Sequence, residues 1–157
     1  MSLAALAIAA AFAVAVPVRQ DPGAEAAHLA ALRDRTGVVA LPCVFYEVLK
    51  SGPVGGGSPN RADTISVRYT GRFLDGHVFN TSPDDGKGVA TFELNKLIPG
   101  WVGALRLMRP GDEWRLTIPA WLAYGAQGKA DYIPPNATLI FDVELVSVTP
   151  VKPEPKP

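Results

Sequence analysis

The chain has 157 residues, enough for one domain with a full core and short appendages, but too few for two. Fifteen Lys and Arg balance fifteen Asp and Glu, so there is no net charge and none of the basic excess that a nucleic-acid partner normally requires. Cys43 is the single cysteine, which rules out an intramolecular disulfide and reads as a small buried apolar residue rather than a reactive thiol.

Leu3 to Val16 is an unbroken run of Leu, Ala, Ile, Phe and Val, closed by Pro17. It is shorter than the roughly 20 residues of a membrane-spanning helix. Ala13-Val14-Ala15 has the small-x-small form of a signal-peptide cleavage site, and a polar stretch begins at Arg19. No Lys or Arg precedes the run, so the amino terminus alone supplies positive charge there. Residues 1–15 are read as a signal peptide and the protein as exported, with the bacterial periplasm as its expected location. The alternatives are an uncleaved membrane anchor, a mis-assigned start, or a buried core helix, although nothing polar gives such a helix a solvent face.

Residues 16–43 read as a linker followed by a short helix. Pro22-Gly23 breaks regular structure, and Ala24 to Arg35 then has Glu25 in its first turn, Leu29 and Leu32 on one side, Arg33 and Arg35 near its end, and Gly37 to stop it. From 44 to 149 the pattern turns mainly to strands. Val44 to Lys50 is one run, ended by Ser51-Gly52-Pro53 and Gly55-Gly56-Gly57. In Thr64 to Thr70, Ile65, Val67 and Tyr69 alternate with polar residues, which gives one buried and one wet face. Asp75-Gly76 is a strong hairpin signal, joining that strand to His77-Val78-Phe79.

One segment has helical spacing instead: Ile98, Trp101, Leu105 and Met108 recur at steps of three and four. Pro99 is tolerated in a first turn, and Pro110-Gly111 ends the segment. Trp114, Leu116 and Ile118 alternate with Arg115 and Thr117, as Leu139, Phe141, Val143 and Leu145 do with Asp142 and Glu144. These periods imply an α+β fold, an antiparallel sheet whose apolar face covers one short helix. Residues 150–157 alternate Pro with charge and read as a disordered, PPII-like tail.

Five segments carry a resemblance: Val67-Arg68-Tyr69-Thr70-Gly71, Asp75-Gly76-His77-Val78-Phe79, Leu97-Ile98-Pro99-Gly100-Trp101, Leu122-Ala123-Tyr124-Gly125, and Ile133-Pro134-Pro135 through Leu145. In this order they resemble the FK506-binding type of peptidyl-prolyl cis-trans isomerase, from about Val44 to Val148. The helix of residues 24–35 and the following Val38 to Pro42 resemble the approach segment of exported members of the macrophage-infectivity-potentiator kind. Those proteins carry a long dimerising region before it; too few residues precede it here, and a monomer is expected.

The resemblance implies a curved half-barrel sheet around the short helix, and an activity that needs no nucleophile, metal or cofactor. It implies catalytic roles for Tyr69, Phe79, Asn80, Trp101, Tyr124 and Phe141. Phe92, Leu97, Ile98, Tyr132 and Ile133 join the aromatic set in a surface that binds proline or a macrolide such as FK506 or rapamycin. Trp101 would be the floor, and the Tyr124 hydroxyl and Ile98 N–H the donors to ligand carbonyls. The implied partners are proline-containing unfolded or folding polypeptides. Taken singly, Tyr69, Phe79 and Phe141 at inward strand positions are ordinary core; the combination favours a pocket, since Trp and Tyr need a polar partner and are less often fully buried. Leu122 to Pro135 reads as an exposed rim, with Lys129, Asp131 and Tyr132 among its residues.

One departure touches the site. The family has Asp after the pocket Phe and an Arg a few residues later; these places hold Asn80 and, in the best alignment, Asp85. Neutral Asn80 needs no buried counter-charge. It keeps open a second reading, a proline-binding or chaperone module of the same fold with little turnover. Other chemistries find little support: His28 and His77 are far apart in sequence, and Asp84-Asp85 lacks EF-hand spacing, leaving solvated loop charges as the ordinary reading.

Overall fold

A computed structural model describes residues 22–42, 44–130 and 132–151. The expected signal peptide, the first part of the linker, Cys43, Asp131 and residues 152–157 of the tail lie outside the described residues. Among the described residues seven strands form one antiparallel sheet: β1 Val38–Ala40, β2 Phe45–Lys50, β3 Thr64–Arg72, β4 Val78–Thr81, β5 Ala90–Glu93, β6 Glu113–Ile118 and β7 Leu139–Thr149. Their order is β1-β2-β6-β7-β3-β4, with β5 also on β3. Among the described residues two α-helices accompany them, α1 Pro22–Arg33 and α2 Pro99–Leu105.

β3 organises the sheet. One edge pairs with β7 along its length, from Thr64↔Thr149 to Arg72↔Ile140. The other edge is shared, with β5 against Thr64 to Val67 and β4 against Thr70 to Arg72. The period of two decides the faces. Ile65 and Val67 of β3, Leu116 and Ile118 of β6, and Leu139, Val143 and Leu145 of β7 are buried in the core with Leu105 and Met108. The intervening positions carry charge: Arg68 pairs with Glu144 at 3.0 Å, while Arg72 and Arg115 converge on Asp142 at 2.9 and 2.6 Å. The α+β fold, a sheet covering one short helix, is the expected one.

Several boundaries differ from the expected ones. α1 begins and ends two residues before the expected 24–35, because Pro22 is compatible with a first helical turn. The chain then turns through Arg35, whose N–H reaches Leu32 O at 3.3 Å. β1, read only as an approach segment, is a sheet strand paired with β2. β5 has a single large apolar residue, Phe92, too little for a period to show. α2 is shorter than the spacing from Ile98 to Met108: Ile98 caps it, and Met108 stays on its buried side because Leu107 and Met108 donate to Ala104 and Leu105 in tight turns.

Two contacts fix the helices. Gly100 lets α2 approach β6, since a Cβ there would lie 2.4 Å from Ile118 Cγ2. On α1, the Glu25 carboxylate accepts from the Thr138 hydroxyl at the start of β7. Leu32 of α1 and Phe45 of β2 are buried apart from the main core, on a recess of about 280 Å³ between α1 and the sheet.

Candidate active site

The concave side of the sheet leaves a cavity of about 610 Å³. Each element supplies its share through local geometry. Antiparallel register places Gly71 of β3 opposite both Asn80 of β4 and Phe141 of β7. A Cβ at Gly71 would fall 2.7 Å from Phe79 Cζ and 2.8 Å from Phe141 Cε1, so only glycine lets the two rings close over the strand. Phe79 and Phe141 then meet edge to face, 5.6 Å apart at 84°.

Trp101, in the first turn of α2, is buried at the floor. Three rings stand nearly perpendicular or tilted around it: Tyr69 at 5.3 Å and 85°, Phe141 at 5.1 Å and 87°, and Phe92 at 6.3 Å and 85°. In edge-to-face packing the positive edge of one ring meets the negative face of the other, which favours this geometry over flat stacks. The Trp101 Nε1 is buried without a hydrogen-bond partner among the described residues. Burying such a donor costs about 1–3 kcal/mol.

The rim comes from the segment after β6. Lys129 N–H donates to Ile133 O at 2.8 Å, Ile133 N–H returns to Lys129 O at 2.9 Å, and Asn136 N–H reaches Gly125 O at 2.9 Å. These bonds pin Tyr124, Tyr132 and Ile133 beside the cavity. Ile133 is buried, whereas Tyr132 stands largely exposed at the mouth. Leu97 and Ile98, which end the 3-10 turn and cap α2, line the opposite side.

The structure thus brings together every residue expected at the site: Tyr69, Phe79, Asn80 and Phe92 from the strands, Leu97, Ile98 and Trp101 from the helix entry, and Tyr124, Tyr132, Ile133 and Phe141 around the rim and β7. The Tyr69 hydroxyl donates to Asn80 Oδ1. Burial, then the neighbouring Tyr124, pushes the Tyr69 phenol above its ordinary pKa, so it stays protonated. The Ile98 N–H and Tyr124 hydroxyl make no hydrogen bonds among the described residues. Asp85, aligned with the family's arginine, sits in an exposed left-handed turn with φ 54° and does not line the cavity.

Two lining residues escaped the sequence reading as site residues, Lys96 and Lys129. Lys96 binds Glu93 at 2.7 Å, and Lys129 Nζ lies 5.5 Å from the Tyr124 ring centroid. The signal was their position: Lys96 directly precedes Leu97-Ile98, and Lys129 lies within the rim segment.

The chain is similar to known proteins in sequence and in fold. Residues 55–146 match the family of FKBP-type peptidyl-prolyl cis-trans isomerases. The chain is 42% identical over 123 residues to the outer membrane protein MIP of Legionella longbeachae, covering 78% of this chain and 52% of that protein. It is 46% identical over 103 residues to the FKBP-type 22 kDa peptidyl-prolyl cis-trans isomerase of Escherichia coli K12, covering 66% and 48%. The chain therefore spans about half the length of these curated relatives. Among solved structures, a peptidyl-prolyl cis-trans isomerase of Pseudomonas syringae superposes with a TM-score of 0.74 at 36% identity, covering 82% of this chain and 92% of that one. FkpA of Escherichia coli gives 0.71 at 37% identity, covering 80% and 59%. Matched by the family over residues 55–146, which hold β3 to β6, the central helix and the rim segment, this protein belongs to the Mip-like branch of the FKBP-type peptidyl-prolyl cis-trans isomerase family.

Proposed function

We propose that the chain accelerates cis-trans isomerisation of X-Pro bonds in folding polypeptides. The observation that carries this reading is the aromatic box over Trp101, closed by Tyr69, Phe92 and Phe141 and open at a polar rim. Rotation about a peptide bond breaks amide resonance and costs about 18–20 kcal/mol in water. The twisted amide has less charge separation than the planar one, so a dry aromatic wall binds it better. Binding the twisted form more strongly than the planar form is what lowers a barrier, tenfold in rate for each ~1.4 kcal/mol.

Within this reading Phe79, Phe141 and Trp101 exclude water, and Tyr69 and Asn80 hold one wall through their hydrogen bond. The Ile98 N–H and Tyr124 hydroxyl are donors for the substrate's carbonyls. Phe92, Leu97, Tyr132 and Ile133 contact residues flanking the proline, and the same surface takes FK506 or rapamycin. The protein acts without a cofactor, as a monomer exported to the periplasm, with an isomerase domain at 44–149 preceded by a cleaved signal peptide. The Ala13-Val14-Ala15 pattern and the likeness to an outer membrane protein support export.

A proline-binding module with little turnover is favoured by one feature, neutral Asn80 as the acceptor for Tyr69. A protease-coupled assay on a short Leu-Pro peptide separates the two. Acceleration over the uncatalysed exchange supports the isomerase, and peptide binding without acceleration supports the module.

A further inference from the structure

Among the described residues, the charged side chains lining the cavity are Lys96 and Lys129, no Asp or Glu lines it, and Asn80 is neutral. Both lysines are exposed, so their ammonium groups remain hydrated and reachable by a ligand. They differ in what holds them. Lys96 is partly neutralised by its 2.7 Å bond to Glu93, itself half exposed. Lys129 lies over Tyr124, and a cation above a ring face keeps donors to offer elsewhere. Tyr124 lines the cavity at its rim, so Lys129 stands at the mouth beside the aromatic box. Asp84 and Asp85, the acidic pair of the 82–88 turn, do not line the cavity.

We propose that this cationic mouth makes the protein selective for X-Pro segments carrying a carboxylate beside the proline, with Lys129 the principal specificity residue and Lys96 secondary. This rests on the isomerase reading of the same cavity. Residues flanking a proline have Cα atoms about 3.8 Å from its own across a trans bond and about 2.9 Å across a cis one, so a Glu side chain there extends beyond the proline ring toward the rim. The box treats Glu and its isostere Gln alike in shape, so a difference between them reports charge. An exposed ion pair is weak and screened by salt, and the preference is correspondingly modest and dependent on ionic strength.

The test compares peptides that differ only by Glu or Gln, placed before or after the proline, with the full chain at low and high salt. For at least one placement, kcat/KM for the Glu peptide exceeds that for Gln by about two- to fivefold at low salt and approaches it near ~0.5 M salt. Lys129→Glu inverts the ratio, and Lys96→Glu shifts it less. Asp131, two residues beyond Lys129, lies outside the described residues, so the comparison is repeated in Asp131→Asn; the preference is present in both chains. Thermal melting of each variant checks that it is folded. Turnover of Gln peptides with a Glu-to-Gln ratio of one or below for both placements, a ratio unmoved by Lys129→Glu, or a preference seen only in Asp131→Asn overturns the proposal while leaving the isomerase reading intact. If no peptide is turned over, that reading fails, and the ratio of peptide affinities read from Trp fluorescence decides the selectivity by the same criteria.

Discussion

The Tyr69 hydroxyl on β3 donates to the side-chain oxygen of Asn80 on β4, tying an aromatic wall of the cavity to its rim. The two residues are not directly opposite: Asn80 faces Gly71, and Tyr69 reaches it along the strand. Neutral hydrogen bonds of this kind contribute about 0.5–1.5 kcal/mol net. A cycle of Tyr69→Phe, Asn80→Ala and the double variant is expected to show coupling of that size in kcat/KM. Strict additivity would mean that the bond has no part in orienting the wall. Asn80→Asp replaces the acceptor by a carboxylate, and a charge-assisted bond is roughly twice as strong. That change is expected to raise kcat/KM by about fivefold, and a decrease would show that the neutral acceptor is the better fit.

Burial raises the Tyr69 pKa, and the sign of the consequence is fixed. The folded state holds the phenolic proton more tightly than the unfolded state, whose Tyr titrates at its ordinary ~10. The resulting stability is fully present below pH ~10 and is lost as pH rises through the higher folded value. Tyr69 therefore adds no pH dependence between 7 and 9. Above pH 10 the melting temperature of wild type is expected to fall more steeply than that of Tyr69→Phe. Parallel curves would contradict the assigned burial.

Gly71 has no room for a methyl group between Phe79 and Phe141. Gly71→Ala is expected to cost about 1–3 kcal/mol by overpacking, measured by denaturant unfolding, and to lower kcat/KM by displacing both rings. An Ala variant with unchanged stability and activity would show that the rings move aside freely.

Much of this architecture was legible in the sequence where one residue pattern served one purpose. Ile65, Val67 and Tyr69 alternate because β3 is wet on one face, and Asp75-Gly76 marks a turn in which Gly76 N–H bonds Phe73 O at 3.0 Å. β5 was not legible, since Ala90 to Glu93 earns its place by pairing with Thr64 to Val67, a contact distant in sequence. Lys96 and Lys129 were hidden for a related reason. A lysine in a loop looks like any solvated charge until the fold sets it beside an aromatic box.

Trp101 as the cavity floor makes ligand binding visible. FK506 or rapamycin is expected to change its fluorescence saturably at micromolar concentration. Trp121 is two-thirds exposed and is silenced by Trp121→Phe. Trp114 stacks on Tyr46 at 4.3 Å and is replaced likewise, with a stability check because Trp114 is buried. A folded double variant whose emission does not respond would contradict macrolide binding over the indole.

On the proposed function, the aromatic box itself lowers the rotational barrier. The most direct test is the cis-trans exchange rate of a Leu-Pro peptide, measured by NMR with catalytic amounts of the protein and titrated with FK506. Exchange is expected well above the uncatalysed rate, falling to that rate once the macrolide occupies the cavity. Exchange unaffected by the protein, or acceleration that persists when the cavity is filled, would contradict it.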